Sequence, residues 1–221
     1  MLKPTMEYTN LLMSPNFVVR RFRSIVRKYG SAEAMKGRLK QEREACIAAI
    51  WAYGIQNITG IDEYWIEVVT DDQTPDCKVV FLDTSAGYNH RKMMNLEIVE
   101  WELHRENMLE IIEQKCGKAY PSYFFLVVFV RNDKETLVED ILQRIRNLAV
   151  PFAEIWILGR LPISIGSYRL FMAHPEPAKV VDFDLFDGYR KNLNQIDFLQ
   201  PEGRGKDLER TDRGLLYLPI P

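Results

Sequence analysis

The chain carries eight consecutive apolar or aromatic residues, YFFLVVFV, at positions 123–130. A continuous run of this kind is typical of a strand that is covered on both faces, as inner strands of parallel sheets are. An amphipathic pattern follows, with Leu137, Ile141 and Leu148 on one face, and then a second apolar run at 153–158. This alternation of strand, helix and strand predicts a parallel crossover.

Upstream of that run, the segment 64–103 has the composition of strands separated by polar turns. Its apolar stretches are residues 64–69, 77–82 and 96–103. We predict that they form a three-stranded meander, and that a helix over 105–116, ended by Gly117, connects it to the apolar run.

Two helices precede the meander. Helical spacing predicts the first over 16–28, where Gly30 ends it, and the second over 31 to about 53, with Ser31 as its N-cap. Gly54 and the segment 57–60 are predicted to end this second helix. From the second helix onward the predicted order is α-β-β-β-α-β-α-β. The fold class is therefore α/β, with a mixed sheet flanked by helices.

The chain divides into three regions on this interpretation. Residues 1–43 form an N-terminal helical region, residues 44–160 the α/β core, and residues 161–221 a C-terminal extension. Within the extension we expect an edge strand over 168–173, a mobile loop over 200–214 and an apolar tail over 215–220. The tail either folds back or contacts a second subunit.

Composition excludes several classes of protein. The 29 basic and 31 acidic residues give a formal charge of -2, so nucleic-acid binding requires a local basic patch. Cys46, Cys77 and Cys116 have neither disulfide-framework nor zinc-site spacing. Residues 1–13 lack the apolar core of a signal peptide, and no apolar run approaches a membrane span of roughly 20 residues. We expect a cytoplasmic protein without membrane contact.

Three carboxylates form the best candidate for a chemical site. Asp76 begins the second predicted strand, and Glu100 and Glu102 lie late in the third. Residues two apart on a strand point to the same face, so Glu100 and Glu102 lie about 7 Å apart along it. Asp76 can converge with both if the two strands are neighbours.

Carboxylates gathered this closely repel one another and must be neutralised. A divalent cation does this most economically, and oxygen ligands favour Mg²⁺, with Mn²⁺ as a substitute. The reaction that such a site serves best is phosphodiester hydrolysis. The alternative is that the acids pair with Arg91, Lys92 or Arg105 and need no catalysis at all.

The sequence resembles the PD-(D/E)XK nuclease superfamily, the restriction-endonuclease-like fold, over residues 44–158. The Pro75-Asp76 dipeptide and Glu100 correspond to the acidic pair of that family. Members of the family often add an acid from the preceding helix, and Glu44 is the candidate here. The resemblance implies that Asp76 and Glu100 bind the metal.

This chain departs from the family motif at the position two residues after the second acid. The usual lysine is replaced by Glu102, as in some active restriction enzymes, while in other members the lysine comes from another element. Lys78, on the same strand face as Asp76, is the natural substitute. Asp83 is the second choice for the first acid, since it lies on the opposite face and lacks a preceding proline.

The one strong concentration of basic residues is on the pair of N-terminal helices, where a phosphate-backbone clamp is as good an interpretation as a solvated helix face. The polar and basic loop 84–95 could contact bases or phosphates, and an ordinary solvent loop is at least as good an interpretation of it. The nucleic-acid-binding candidates are Arg20, Arg21, Arg27, Lys36, Lys40, Arg91 and Lys92.

The resemblance implies a magnesium-dependent DNA endonuclease, of restriction or phage-defence type. Glu102 or Lys78 would orient the attacking water and Glu44 would assist. Cleavage of both strands of a duplex favours a homodimer, because one site addresses one strand. The alternatives are a catalytically inactive module of the same fold that binds nucleic acid or a protein partner, and an unrelated α/β fold.

Overall fold

The structure is a computed structural model. It describes residues 11–61, 63–69, 74–83, 90–102, 107–131, 138–162, 166–192, 195, 197–200 and 215–217.

Helices and strands alternate along most of the described chain. The helices are α1 (Pro15–Tyr29), α2 (Ser31–Ala34), α3 (Lys40–Thr59), α4 (Met108–Cys116), α5 (Val138–Ile145) and α6 (Leu185–Lys191), with a 3-10 turn at Gly37–Leu39. The strands are β1 (Leu12–Met13), β2 (Tyr64–Val68), β3 (Cys77–Asp83), β4 (His90–Trp101), β5 (Phe124–Val130), β6 (Glu154–Arg160), β7 (Ser167–His174), β8 (Lys179–Asp184), β9 (Phe198–Gln200) and β10 (Leu215–Tyr217).

The ten described strands form one mixed sheet in the order β10-β9-β1-β2-β3-β4-β5-β6-β7-β8. Strands β2, β3 and β4 are antiparallel neighbours, so the predicted meander is confirmed. Strands β4, β5 and β6 run parallel, which confirms the predicted crossover. The element order from α3 to β6 is the predicted one, and the α/β class with a mixed sheet flanked by helices is correct.

Helices cover both faces of the sheet, which explains why the inner strands are apolar throughout. On one face α1, α3 and α6 share a core with residues such as Val19, Trp51 and Leu185. On the other face α4 and α5 build a second core, to which Ile112 and Ile141 contribute.

The predicted second helix differs from the observed one at its start, and of the two predicted stops only the segment 57–60 ends it. The segment 31–39 forms a short helix and a 3-10 turn, and α3 begins only at Lys40. The helix then continues past Gly54, which packs against Leu170 of β7, and ends at Gly60 in the left-handed conformation. The tight packing of α3 on the sheet outweighs the weak helix propensity of Gly54.

Two strands also differ from their predictions. β4 begins at His90 rather than at Leu96, because the polar residues at its start pair with β3. The strand predicted at the sheet edge, β7, lies instead between β6 and β8. The predicted helix over 105–116 begins at Met108, where Asn107 and Glu110 form a capping box.

In the described part of the chain, the three predicted regions share a helix and a sheet. The boundary between residues 43 and 44 falls inside α3, and β7 and β8 continue the sheet of the core. The predicted loop lies outside the described residues, except for Gln200 at the end of β9. The part of the tail at Leu215–Tyr217 pairs in parallel with β9, as expected for a tail that folds back.

Gly188 holds α6 against α3. A Cβ atom at this position would lie 2.7 Å from Cδ1 and 2.8 Å from Cγ of Tyr53. Tyr53 is buried and its hydroxyl donates to Asn16 Oδ1, so the ring cannot easily move aside. We expect Gly188→Ala to lower the free energy of unfolding by about 2 kcal/mol, measured by urea denaturation.

Gly117→Ala is the matched control for that substitution. A Cβ atom there makes only ordinary contacts, the nearest at 3.5 Å from Glu113 O, so its cost should stay within about 0.5 kcal/mol. Equal stability changes in the two variants would contradict the packing argument.

None of the helices in the described part of the chain is both long and apolar enough to cross a membrane. The expected cytoplasmic address stays a prediction.

Candidate functional site

Asp76 lies immediately before β3, beside residues 96–98 of the neighbouring strand β4. Its backbone N–H donates to Leu96 O at 2.9 Å, and the N–H of Ile98 donates to its Oδ2 at 2.7 Å. The backbone of β4 therefore fixes both the position and the orientation of this carboxylate.

Glu44 lies in the first turns of α3, close to the start of β3, and only 4% of the residue is exposed. Lys40, one helical turn earlier, places its Nζ 3.1 Å from Glu44 Oε1 and 3.6 Å from Asp76 Oδ1. One ammonium thus bridges two carboxylates. Because the Lys40 side chain is 59% exposed, it can leave without disturbing the core.

The electrostatics of this pair are unfavourable when both acids are charged. Burial, together with the charge of Asp76, raises the pKa of Glu44 to about 7, although Lys40 opposes the shift. Burial also raises the pKa of Asp76, against the hydrogen bond from Ile98, and the charge of Glu97 adds to the rise. Such perturbed acids are characteristic of functional sites.

Glu97 is a residue that the sequence interpretation missed. Cys77 pairs with Leu96 across β3 and β4, so Asp76 and Glu97 are the next residues outward, near enough that the charge of Glu97 acts on Asp76. Glu97 is only 4% exposed; its Oε1 contacts the ammonium of Lys115 and accepts from the Tyr120 hydroxyl at 3.0 Å. Its signal in the sequence is a glutamate between two apolar residues of a buried strand.

The second oxygen of Glu97 has unmet bonding capacity. Oε2 is buried and has no hydrogen-bond partner among the described residues. A buried carboxylate oxygen without a partner costs free energy, so a bound cation or water is expected to satisfy it.

Glu100 lies in β4 and Glu102 one residue past its end, and both contact Arg131, so the two carboxylates are close together. Glu100 also accepts from Arg43 Nε at 2.6 Å, and Arg43 in turn donates to the carbonyl of Ala34. The four acids named from the sequence therefore form two pairs. Glu44 and Asp76 meet at Lys40, and Glu100 and Glu102 meet at Arg131.

Within the described part of the chain, the acids at the end of β4 meet cations that the salt-bridge alternative did not name. Arg43 and Arg131, from α3 and from the end of β5, supply the charge. Of the residues named there, Arg105 and the side chain of Arg91 lie outside the described residues.

Lys78 is directed away from Asp76. Its Nζ lies 2.8 Å from Glu67 Oε1 on the neighbouring strand β2. Lys115 of α4 is the lysine whose ammonium contacts Glu97. Asp83, the second choice for the first acid, ends β3, and its side chain lies outside the described residues.

Several of the predicted nucleic-acid-binding residues are paired with local acids. The ion pairs are Arg20 with Asp197 at 2.5 Å, Arg21 with Glu42 at 2.7 Å and Lys36 with Glu33 at 2.5 Å. Lys92 lies over the ring of Phe81, 5.8 Å from its centroid, and Arg27 lines a cavity beside α1. These pairings agree better with a solvated helix face than with a continuous phosphate clamp.

Within the part of the chain that the structure describes, no group of three or more His, Cys, Asp or Glu side chains has a spacing that could hold a metal ion as the side chains stand. Glu44 and Asp76 are spanned by Lys40, and Glu97 by Lys115. Two ammonium groups thus offset part of the negative charge of these three carboxylates.

Comparison of the chain with protein-family models, with curated proteins and with solved structures gives no match.

Proposed function

We propose that this chain is a metal-dependent endonuclease that hydrolyses phosphodiester bonds of DNA, with a core of the PD-(D/E)XK type. The observation that carries the proposal is the pair of buried Glu44 and half-buried Asp76, with Glu97 near Asp76 on the neighbouring strand. The order α-β-β-β-α-β-α-β supports it, since the family places its acids on these same elements.

The chemistry of the donors fits a divalent cation. Glu44 and Asp76 offer carboxylate oxygens, and the orphaned Oε2 of Glu97 is a third. Oxygen ligands of this kind suit Mg²⁺ or Mn²⁺. In this proposal Glu97 is the second metal-binding acid, the role that the motif alone assigns to Glu100. Glu100 already forms ion pairs with Arg43 and Arg131.

When bound, the metal would polarise a phosphate and lower the pKa of a water molecule. The residues of the chain have distinct tasks around it. Asp76, oriented by the N–H of Ile98, and Glu44 would hold the cation after Lys40 moves away. Lys115 would balance the negative charge of a phosphate beside Glu97, the task of the lysine that the motif lacks.

The substrate class follows from the family resemblance, and duplex DNA is the expected substrate. A restriction or defence role and a homodimer that cuts both strands are parts of the same proposal.

A non-catalytic module of the same fold is the second candidate. Lys40 already contacts both Glu44 and Asp76 without a metal and offsets one of their two charges, and this observation favours a site that has lost catalysis. Such a module would bind nucleic acid or a protein partner.

Supercoiled plasmid and single-stranded DNA, incubated with Mg²⁺, Mn²⁺ or chelator, separate the two candidates. We expect Asp76→Asn and Glu97→Gln each to lower metal-dependent cleavage by more than about a hundredfold, because each removes a ligand. Glu113→Gln, an exposed acid on α4, is the control and should cleave like the wild type.

A second measurement keeps the test informative if the natural substrate is a different nucleic acid. Mg²⁺ should raise the midpoint of thermal unfolding of the wild type and fail to do so for Asp76→Asn. Absence of both cleavage and metal-dependent stabilisation would overturn the nuclease proposal. Loss of cleavage in Glu100→Gln but not in Glu97→Gln would show that the metal is bound by Asp76 and Glu100, the acids of the motif, and not by Glu97.

A further inference from the structure

A cavity of about 490 Å³ lies between α1, α3 and the carboxyl ends of the parallel strands β4, β5 and β6. Most of its wall is apolar, with Val19 and Phe22 of α1, Ile50 of α3 and Phe129 of β5. Small molecules bind to α/β sheets at the carboxyl ends of parallel strands, and pockets that hold them have about this volume.

The charge of this cavity is strongly positive. Arg23 and Arg27 of α1 and Arg43 of α3 line it, together with Arg131 and Arg160 at the ends of β5 and β6. Among the described residues that line it, Glu100 is the one acid. The described lining residues carry five positive charges and one negative charge, which leave +4, or +3 if Glu102, which contacts Arg131, is included.

The arginines fall into two groups. Arg43 and Arg131 bind Glu100, and this contact fixes them at the inner end of the cavity. Arg27 and Arg160 form no ion pair among the described residues, and the guanidinium of Arg23 lies 5.4 Å from the ring centroid of Phe186. These last three are exposed.

We propose that this cavity binds a small amphipathic anion, a phosphate group carried on an apolar or aromatic body. The body would lie against Phe22, Phe129 and the other apolar wall residues, where burial of apolar surface favours it. The phosphate would meet the guanidinium groups of Arg27 and Arg160, whose planar geometry suits bidentate hydrogen bonds to phosphate oxygens.

This proposal does not depend on the nuclease proposal. None of the three carboxylates assigned to the metal lines the cavity. The cavity also explains why unpaired arginines border an apolar wall, an arrangement that packing of the chain alone does not require.

Binding of two phosphate compounds and of their neutral counterparts tests the proposal. The compounds are adenosine 5′-monophosphate with adenosine, and decyl phosphate with decanol. We expect one phosphate compound to raise the midpoint of thermal unfolding saturably by a few degrees, while its neutral counterpart does not. The compound that binds distinguishes a nucleotide from an alkyl body.

Variants locate the binding. Arg27→Gln combined with Arg160→Gln should weaken the binding of that compound at least tenfold in calorimetric titration. Both side chains are exposed, so the variant should fold, and circular dichroism checks this. Arg144→Gln, an exposed arginine of α5 on the other face of the sheet, should bind like the wild type. Saturable binding of neither phosphate, equal stabilisation by the neutral compounds, or unchanged affinity in the double variant would overturn the proposal.

Discussion

Glu44→Gln is expected to stabilise the protein at alkaline pH by up to about 3 kcal/mol and to leave its stability nearly unchanged at pH 4. Burial and the charge of Asp76 raise the pKa of Glu44 to about 7 in the folded protein, from an ordinary value of 4.5. Each pKa unit corresponds to about 1.4 kcal/mol, so the folded state becomes less stable as Glu44 ionises.

The sign of this effect follows from proton binding. A raised pKa means that the folded state holds the proton more tightly than the unfolded state. The wild type therefore loses stability as the pH rises from about 4.5 to about 7, and keeps that loss at higher pH. Glutamine cannot ionise, so the difference between variant and wild type should grow over the same window.

Urea denaturation at a series of pH values from 4 to 8.5 measures this difference. Glu113→Gln, at an exposed position of α4, is the control and should differ from the wild type by less than about 0.5 kcal/mol throughout. A difference for Glu44→Gln that does not change with pH would show that Lys40 fully compensates the two acids. A stability cost that is relieved by removing an acid is expected of a site retained for its chemistry.

Trp51→Ala is expected to lower the free energy of unfolding by about 4 kcal/mol. Trp51 is fully buried where α3 packs on the parallel strands, and its ring lies edge-on to those of Phe125 and Trp156, with centroids 6.3 Å away in both cases. Alanine removes these contacts and leaves a cavity that the closely packed helix cannot fill.

Trp51→Phe separates packing from polarity at this position. Trp51 Nε1 is buried and has no hydrogen-bond partner among the described residues. Phenylalanine deletes this unsatisfied donor, which offsets part of the lost contact, so its cost should be about 1 kcal/mol. Tyr123→Ala, 61% exposed, is the control and should cost less than about 0.5 kcal/mol. A loss below about 1 kcal/mol for Trp51→Ala would contradict the packing argument.

Much of the fold follows from local patterns. The run YFFLVVFV predicts an inner strand because its residues are apolar on both faces, and the structure places β5 between two parallel neighbours. The meander and the crossover follow in the same way, since their apolar periods match their elements.

The local errors have a common cause. Gly54 predicts the end of a helix, but α3 continues past it, and the missing side chain allows close contact with Leu170. The polar start of β4 reads as a loop, but its backbone pairs with β3. In each case a partner distant in sequence outweighs the local preference.

The residues of the candidate site were also predicted only in part, and again the part missed depends on contacts distant in sequence. Asp76 and Glu100 are recognisable from residue type and spacing, because a carboxylate at a strand end is a local feature, whereas Glu44 on α3 was named from the family resemblance. The register between β3 and β4 is not local, and it brings Glu97 rather than Glu100 opposite Asp76.

The sequence by itself determined the α/β class, the order of the core elements and the presence of excess carboxylates near the start of β3. Only the tertiary structure decided which cation each acid meets. Lys40, Arg43 and Arg131 come from elements that only folding brings beside β3 and β4, so their pairing depends on helix position and strand register. Electrostatic energies depend on distance and burial, and neither is written in the spacing of residues along the chain.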